Sequence, residues 1–570
     1  MRLLHPSFGF WRCALVVLLF SIQGSAAAVE VPALTKRHGM VIAGHPEAAS
    51  IGLELLGSGG NAVDAAIATS LALGVAEPFG SGLGGKLVLL YYEAASGRTY
   101  VVDAMDAAGS LAVSDYLQRP DSEWSSGYSS VCVPGLPAGL WLAHQRWGTK
   151  LWADDVQPAI DLARRGAEVL PKTRDLFAEQ EKRLRLGDSE IAGIFLPGGS
   201  LPRVGAQLPN PDLARTLQFF ATAGRDGFYR GPVAAAIVTA ARAGGGVLSE
   251  EDLARYEARI SEPIVTDFRG FRLVSAPPPT CGAAIVFPLL KALESEDFSG
   301  GPLRTSANLK KLGRFWNVVA SEMWQVVGDA PESRTLLEGL LTPESIANIR
   351  REAAAGDEPS RRLTTRPEIP AFYESEHAAT THFVVVDEAG NIVCATQSLS
   401  VHFGAGVVPP GTGVVLNNSM SNFSYGDPAN INYVAPGKRS RSTIAPTLVF
   451  KDGRPLLALG LPGSSRIPTA LAQVLIDRLA LDRPLAEAIG DTRFHFIAPT
   501  RASPGFVFEA ERSLPSSVGS ALQNDGWTVS LPEEAGRGRY FGGVNAVEFN
   551  PDGTLTGYAD PRRPNAAAGY

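Results

Sequence analysis

The sequence has few cysteines and no long apolar run after its N-terminal segment. Of its four cysteines, Cys13 lies in that segment, which leaves Cys132, Cys281 and Cys394. An odd number of cysteines without a C-x-x-C pair predicts neither a disulfide framework nor a zinc site. We therefore expect these three residues to be small, buried apolar side chains.

An excess of positive charge is also absent. The formal net charge is -7 at pH 7, and no Lys/Arg-rich block occurs. Proteins that bind a phosphate backbone carry a basic patch, so nucleic acid is excluded as the expected partner. The sequence also lacks a G-x-S-x-G elbow, a P-loop and an H-E-x-x-H pair. No metal and no organic cofactor is implied.

The N-terminal segment is apolar but too short to cross a membrane. Arg2 and Arg12 precede an apolar run over residues 14–22, far below the ~20 residues of a membrane span, and small residues follow as far as Ala28. This pattern predicts a signal peptide over residues 1–28, and therefore a secreted or periplasmic protein without a stable membrane span. An uncleaved anchor helix is the alternative.

A glycine-rich run over residues 80–85 matches G-x-G-x-x-G. A dinucleotide-binding loop must open a helix, whereas the residues that follow, 87–92, have strand character. We interpret these glycines as positions where two chain segments approach each other closely.

Helical and strand-like segments occur in mixed order, which predicts layered α/β packing. The predicted helices are 46–56, 61–75 with Asn61 as its N-cap, 156–165, 232–243, 283–293, 309–327 and 469–479. The predicted strands are 87–92, 264–275, 381–386, 392–399, 413–416, 447–450, 506–508, 544–549 and 555–559. The polar, proline-interrupted stretch 354–377 is predicted to be a mobile segment.

Thr380, at the start of a predicted hairpin, is marked out by the sequence around it. In the second half of the chain the informative motifs are Ala378-Ala379-Thr380-Thr381-His382-Phe383, Gly411-Thr412-Gly413, Leu416-Asn417-Asn418, Ala445-Pro446-Thr447, Pro462-Gly463 and Asp560-Pro561-Arg562. In the first half they are Gly59-Gly60-Asn61-Ala62-Val63-Asp64-Ala65-Ala66, Glu77-Pro78, Val133-Pro134-Gly135 and Gly227-Phe228-Tyr229. These motifs, in their order along the chain, resemble those of the gamma-glutamyltransferase family of N-terminal-nucleophile hydrolases, and the resemblance covers essentially all of the mature chain.

The resemblance implies an α/β (α+β) fold, a four-layer αββα sandwich, and a proenzyme that cleaves itself between Ala379 and Thr380. A threonine hydroxyl needs a base beside it to be a useful nucleophile. Cleavage creates that base, which is the new α-amino group of Thr380. An α-amino group has an ordinary pKa of about 7.7–8.0, so it can accept the hydroxyl proton near neutral pH. The expected products are a large subunit, residues 29–379, and a small catalytic subunit, residues 380–570, which remain associated.

The resemblance also implies groups that assist the nucleophile. The backbone N–H groups of Gly463 and Ser464 would form the oxyanion hole, where the family usually has two consecutive glycines. Ser398 stands where the family has a threonine whose hydroxyl supports the nucleophile. Since the base is the nucleophile's own amine, we expect His382 and His402 to be structural.

The sequence departs from the family where the family holds a glutamyl group. Met105 replaces the arginine that binds the glutamyl carboxylate, and no methionine can form that bidentate charged pair. Among the partners of the glutamyl amino group, Ser400 replaces an asparagine, Ser419 a glutamine or glutamate, and Asn422 an aspartate.

Part of the carboxylate subsite is retained. Ser442 and Thr443 keep two hydroxyls that help to bind the carboxylate in the family. Arg441 precedes them and is a candidate replacement anchor, although an ordinary solvated arginine is the more common case.

These features predict a self-processing amidohydrolase or acyltransferase that acts through an acyl-Thr380 intermediate on a small amide or peptide, with an acyl group other than ordinary L-glutamyl. One alternative is a conventional glutathione hydrolase with a repositioned carboxylate anchor. The other is a catalytically silent, uncleaved binding protein.

Overall fold

A computed structural model of the uncleaved chain describes residues 28–110, 125–298, 301–355, 379–497, 506–533 and 539–570. The predicted signal peptide, except its last residue, and almost all of the predicted mobile segment lie outside the described residues.

Two seven-stranded antiparallel sheets lie at the centre of the part of the chain that the structure describes. The first sheet has the spatial order β1 (Ala33–Lys36), β18 (Leu555–Ala559), β17 (Asn545–Phe549), β13 (Arg454–Gly460), β12 (Thr447–Lys451), β9 (Phe271–Ser275) and β8 (Ile264–Phe268). The second has the order β19 (Ala566–Gly569), β2 (Met40–Ala43), β10 (Ala379–Val386), β11 (Ile392–Ser400), β3 (Lys86–Glu93), β4 (Arg98–Ala104) and β7 (Arg259–Ser261). Smaller sheets are formed by β5 (Ala167–Glu168) with β6 (Gln207–Leu208), and by β14 (Phe494–Ile497), β15 (Val507–Ala510) and β16 (Thr528–Ser530).

Helices cover the outer face of each central sheet. The α-helices among the described residues are α1 (Pro46–Gly57), α2 (Ala62–Ala76), α3 (Leu136–Trp147), α4 (Trp152–Arg165), α5 (Pro171–Glu179), α6 (Glu181–Leu186), α7 (Ser189–Phe195), α8 (Pro211–Ala223), α9 (Asp226–Tyr229), α10 (Gly231–Ala243), α11 (Glu250–Arg255), α12 (Gly282–Leu293), α13 (Ser306–Val326), α14 (Ser333–Leu340), α15 (Pro343–Ala355), α16 (Ile467–Leu475), α17 (Leu485–Gly490) and α18 (Ser516–Asn524). None of the helices in these ranges is long and apolar enough to span a membrane.

Strand β10 shows how the layers are held together. Its side chains alternate between two cores, as the period of a strand requires. Val384 packs in the core between the sheets, which continues to α12, α13 and α16 behind the first sheet. Phe383 and Val385 pack against α1 and α2 behind the second. This order of helix, sheet, sheet and helix confirms the predicted αββα sandwich.

Most of the predicted elements are present with small shifts at their ends. Asn61 caps α2 as predicted, and its side chain accepts hydrogen bonds from two backbone N–H groups of the first turn. The predicted hairpin of residues 381–386 and 392–399 is β10 and β11. The predicted strand at 413–416 is wrong, because only an isolated bridge between Leu416 and Gly84 forms there. Gly413, at positive φ, turns the chain away from an extended path.

The glycine-rich run before β3 is a place of close chain approach, as predicted. A Cβ atom on Gly84 would lie 2.0 Å from the Val415 carbonyl oxygen, and one on Gly85 would lie 2.4 Å from the Ser398 carbonyl oxygen. Any side chain at either position would displace backbone, so these glycines allow the chain before β3 to approach Val415 and the end of β11 closely.

Candidate active site

Thr380 is the second residue of β10 and is buried, with 4% of its surface exposed. The pairing of β10 with β11 shifts register between Ala379 and Thr381, so Thr380 lies at a β-bulge. A bulge re-aims a side chain at the end of a strand. Here the Thr380 hydroxyl lies 2.7 Å from the Ala379 carbonyl oxygen, the oxygen of the predicted scissile bond.

The Ser398 hydroxyl completes a small cluster around the same carbonyl. Its Oγ lies 3.0 Å from the Thr380 Oγ1 and donates a hydrogen bond to the Ala379 oxygen. The backbone N–H of Ser400 donates to the Ser398 Oγ over 3.0 Å, which orients this hydroxyl. Two hydroxyls therefore converge on one peptide carbonyl oxygen, where hydrogen-bond donors stabilise the negative charge that an attack on the carbonyl would create.

Residues that sequence analysis did not single out hold the backbone of the nucleophile. Arg563, 5% exposed, donates from Nη1 to the Thr380 carbonyl oxygen over 2.9 Å. The Thr381 hydroxyl donates to Glu77 Oε2 over 2.6 Å. Burial raises the pKa of Glu77, against the opposing effects of Thr381 and Arg563. Glu77 belongs to the Glu-Pro motif of the sequence, and Arg563 directly follows the Asp560-Pro561-Arg562 motif, so both lie at or beside segments that resemble the family.

The predicted oxyanion-hole residues form a sharp turn after β13. Gly463 has a φ of 152° and Ser464 a φ of 53°. The left-handed conformation of Ser464 costs about 1–2 kcal/mol for a residue with a Cβ atom. The Thr443 hydroxyl donates to the Ser464 carbonyl oxygen over 2.8 Å and so holds the turn.

One cleft brings most of the predicted site residues together. It is lined by Lys86, Thr380, Ser398, Ser400, Asn422, Arg441, Ser442, Thr443, Ile444 and Ser464. Met105 lies elsewhere, fully buried in the core between the sheets. Its carbonyl oxygen accepts a hydrogen bond from the Tyr256 hydroxyl over 2.7 Å. The position at which the resemblance implies a carboxylate-binding arginine is therefore occupied by a core side chain.

Arg441 is not the solvated side chain that its residue type favours. It is fully buried, and its Nε donates to the Val327 carbonyl oxygen over 2.8 Å. Its guanidinium carbon lies 4.5 Å from the centre of the Trp324 ring. This stacking and the backbone contact account for the burial of a charged group that also lines the cleft.

A buried ion pair that sequence analysis missed lies beside Ser400 and Ser419. Lys86 Nζ donates to Ser400 Oγ over 2.7 Å and to Ser419 Oγ over 2.9 Å, and lies 3.4 Å from Asp106 Oδ2. Ser419 Oγ also donates to Asp106 over 2.5 Å, and Asn422 Nδ2 donates to Ser400 Oγ over 3.0 Å. Burial raises the pKa of Asp106 to about 6, although Lys86 and Ser419 act in the opposite direction.

The two histidines near the site are buried. His382 Nδ1 lies 2.8 Å from Thr396 Oγ1, and burial lowers the pKa of His382 to about 3. His402 packs edge-on against Phe79. Neither ring is among the residues that line the cleft. Cys132, Cys281 and Cys394 are buried free thiols, as predicted.

One group of potential metal ligands occurs among the described residues, at Asp64, His144 and Asp155, with ligand atoms within 4.8 Å of one another. Asp64 already accepts hydrogen bonds from the Asn61 N–H, from the N–H and hydroxyl groups of Thr149, and from the Lys150 N–H. We interpret this group as a structural cap of α2 rather than a cofactor site.

Two antiparallel sheets between helical layers, with a threonine at the start of a central strand in a cleft, define the class of N-terminal-nucleophile hydrolases. Comparison with known proteins supports this class. The family model described as gamma-glutamyltranspeptidase matches residues 48–570. The chain therefore belongs to the gamma-glutamyltranspeptidase family, whose members are hydrolases and transferases with an N-terminal threonine nucleophile.

Individual relatives include both acylases and glutathione hydrolases. The chain is 34% identical over 537 residues to the acylase ACY 1 proenzyme of Pseudomonas sp. strain V22, with 92% of each chain covered. It is 29% identical over 552 residues to the glutathione hydrolase proenzyme of Bacillus subtilis strain 168, covering 94% of this chain and 92% of the relative. Cephalosporin acylase from Bacillus halodurans has the same fold, with a TM-score of 0.82, 27% identity, and coverage of 97% and 99%.

Proposed function

We propose that this protein cleaves itself between Ala379 and Thr380 and then acts as an amidohydrolase or acyltransferase on acyl groups other than ordinary L-glutamyl. The observation that carries the proposal is the convergence of the Thr380 and Ser398 hydroxyls on the Ala379 carbonyl oxygen. It is supported by the names of the relatives described above, which are proenzymes of both acylases and glutathione hydrolases.

Self-cleavage needs only groups that the chain supplies. The Thr380 hydroxyl attacks the Ala379 carbonyl carbon, while the hydrogen bond from Ser398 stabilises charge on the oxygen. The C–N bond breaks, the nitrogen takes up the proton from the hydroxyl, and an ester joins Ala379 to Thr380. Water then hydrolyses this ester, which leaves a carboxylate on Ala379 and restores the hydroxyl of Thr380.

Turnover repeats this chemistry on a substrate. The new α-amino group takes the proton from the Thr380 hydroxyl as the oxygen attacks an amide carbonyl. The turn at Gly463 and Ser464 lies at the same cleft and would donate N–H groups to the oxyanion. The proton passes to the departing amine, and water or an acceptor amine releases the acyl group from Thr380.

Altered acyl specificity follows from the loss of the carboxylate clamp. An arginine binds a carboxylate through two parallel hydrogen bonds, and Met105 offers neither those donors nor access to the cleft. Ser442 and Thr443 still line the cleft and can donate hydroxyl hydrogen bonds to an acyl chain. The chemical machinery is thus retained, while one charged contact to a glutamyl group is lost.

A conventional glutathione hydrolase with a moved anchor is the second candidate, and Arg441 is the observation that favours it. Its guanidinium is buried, lines the cleft and lies next to Ser442 and Thr443 in the chain. In this alternative, Arg441 binds the glutamyl carboxylate in place of the missing arginine.

The N-terminal segment supports export of the enzyme before it acts, by the predicted signal peptide of residues 1–28. The subunits that remain would be residues 29–379 and 380–570. They would stay associated, because β10 and β11 of the small subunit pair with β2 and β3 of the large subunit.

The proposal is tested on purified protein by a denaturing gel, N-terminal sequencing and anilide turnover. We expect two fragments, a new N-terminus at Thr380, and turnover of simple acyl anilides well above that of a gamma-glutamyl anilide. The Thr380→Ala variant should remain one chain without turnover. Robust turnover of the glutamyl anilide favours the second candidate. A single uncut wild-type band identifies a silent protein and overturns both.

A further inference from the structure

The cleft of Thr380 contains a cation of the protein itself. Lys86 lines the cleft, yet its side chain is only 1% exposed. Its ammonium group is held by Ser400 Oγ at 2.7 Å, Ser419 Oγ at 2.9 Å and Asp106 Oδ2 at 3.4 Å. A lysine has three donor hydrogens, so these contacts use its full capacity. The ammonium is therefore fixed at one end of the cleft.

The fold places this ammonium close to the catalytic hydroxyls. Lys86 is the first residue of β3 and lies directly opposite Ser398 in the pairing with β11. Residues directly opposite in an antiparallel pair project to the same face of the sheet. Ser400 connects the two groups, because its N–H donates to Ser398 Oγ and its hydroxyl accepts from Lys86 Nζ.

The negative charge near this position is already paired. Asp106 is fully buried and lies 3.4 Å from Lys86, so the pair has no net charge. Ser419 donates to the same carboxylate over 2.5 Å. A substrate ammonium that entered here would find no free carboxylate, and it would have to approach the Lys86 ammonium.

We infer that Lys86 occupies the place of a substrate ammonium and selects acyl groups that lack one, namely amides whose acyl chain is neutral or anionic. This inference deepens the proposed function and rests on it. Ser400, Ser419 and Asn422 are the positions that the family resemblance assigns to the glutamyl amino group, and the first two hold Nζ. Lys86 is a specificity-determining residue in this scheme, without a part in bond cleavage.

Like charges give the expected size of the effect. Two ammonium groups about 4 Å apart, at an effective dielectric constant of about 20, repel each other enough to weaken binding by roughly 10³-fold. Solvent in the mouth of the cleft reduces this figure. The Asp106 carboxylate, 3.4 Å from Lys86 Nζ, also offsets part of the repulsion, so we expect discrimination of about 10–10²-fold against an acyl group with an α-ammonium.

The sharpest test uses two anilides that differ only in that ammonium, glutaryl 4-nitroanilide and L-gamma-glutamyl 4-nitroanilide. The processed wild-type enzyme should prefer the glutaryl compound in kcat/KM. In Lys86→Ala, space opens beside Asp106, whose carboxylate becomes available to pair with a substrate ammonium. The ratio of glutamyl to glutaryl kcat/KM should then rise at least about 10²-fold. Lys451→Ala removes an exposed lysine at the β12–β13 turn and should leave the ratio unchanged.

Binding gives the same answer without turnover. L-glutamate and glutarate are the two product acids, and calorimetry on the processed wild type and on processed Lys86→Ala measures their affinities. We expect glutarate to be preferred in the first protein and L-glutamate in the second. If Lys86→Ala does not fold, Lys86→Gln removes the charge but keeps nearly the same chain length, and should shift the preference about 10²-fold in the same direction.

The outcomes separate the inference from the proposed function. An unchanged ratio in Lys86→Ala, or an equal loss with both anilides, overturns the selective role of Lys86 even if Thr380-dependent turnover is intact. Absence of turnover with every anilide overturns the proposed function. A switch of affinity between glutarate and L-glutamate would still support the assignment of Lys86.

Discussion

The two halves of the candidate site differ in how the protein builds them. The reacting half consists of Ala379, Thr380 and Ser398, at the paired ends of β10 and β11, and the hydrogen bonds among these three residues all lie within one hairpin. The recognition half contains Lys86 from β3, Asp106 from the segment after β4, and Ser419 from a short 3-10 helix, Ser419–Asn422. A hairpin preserves its chemistry through local geometry, whereas recognition depends on side chains from separate elements that can change independently.

Among the changes considered for the reacting half, removal of the Ser398 hydroxyl should reduce the rate of self-cleavage most strongly. Ser398→Ala removes the donor to the Ala379 carbonyl oxygen and the partner of the Thr380 hydroxyl. Loss of one donor of this kind typically slows acyl chemistry by about 10²–10³-fold. We expect self-cleavage to slow by this factor, measured as the fraction of cleaved chain against time on a denaturing gel.

Ser398→Thr is the matched control, because it keeps the hydroxyl and should cleave at close to the wild-type rate. If Ser398→Ala were cleaved as fast as the wild type, the convergence of hydroxyls would have no role in processing.

Arg563 tests whether the reacting half depends on anything outside its hairpin. Arg563→Met removes the hydrogen bond to the Thr380 carbonyl oxygen and leaves the nucleophile less well positioned. Misplacement by a fraction of an ångström lowers kcat more than it changes KM, and we expect a loss of about tenfold to a hundredfold in kcat. Steady-state kinetics with an acyl anilide measures this split. Arg454→Met, at an exposed hairpin position, is the control. A change confined to KM would place Arg563 in substrate binding instead.

These differences also explain how far the sequence could predict the site. Thr380 and Ser398 were predicted because the motifs around this hairpin resemble the family, and the resemblance implies a role for each of them. The hydrogen bonds of Lys86 depend on the register of β3 against β11, which is set by pairing between distant parts of the chain. Arg441 was expected in solvent, but its burial depends on Trp324 in α13, and no local pattern indicates that contact.

A third prediction concerns acid stability of the core behind the reacting hairpin. Burial lowers the pKa of His382 to about 3, whereas an unfolded histidine has a pKa of about 6.5. Below about pH 6.5 the unfolded chain binds the proton first, so the stability contributed by neutral His382 is lost progressively as the pH falls towards 3. The expected slope is at most about 1.4 kcal/mol per pH unit.

The measurement compares His382 with His382→Gln by urea unfolding between about pH 7 and pH 5, in the Thr380→Ala background so that one chain unfolds. The difference in free energy of unfolding between the two proteins should shrink as the pH falls. Parallel curves would contradict this prediction, because they would mean that the pKa of His382 is the same in the folded and the unfolded chain.

The smallest expected effect on turnover comes from a substitution of Met105. It tests whether this residue belongs to the recognition half. Met105 was predicted at the substrate because of the arginine it replaces, but its side chain lies in the core between the sheets. Met105→Leu conserves volume and should cost less than about 1.5 kcal/mol of stability. Since leucine also remains outside the cleft, anilide turnover should stay within about twofold of the wild type, in contrast to Lys86→Ala. An increase of tenfold or more in KM, with stability unchanged, would return Met105 to the acyl subsite and leave Lys86 as one of two determinants of specificity.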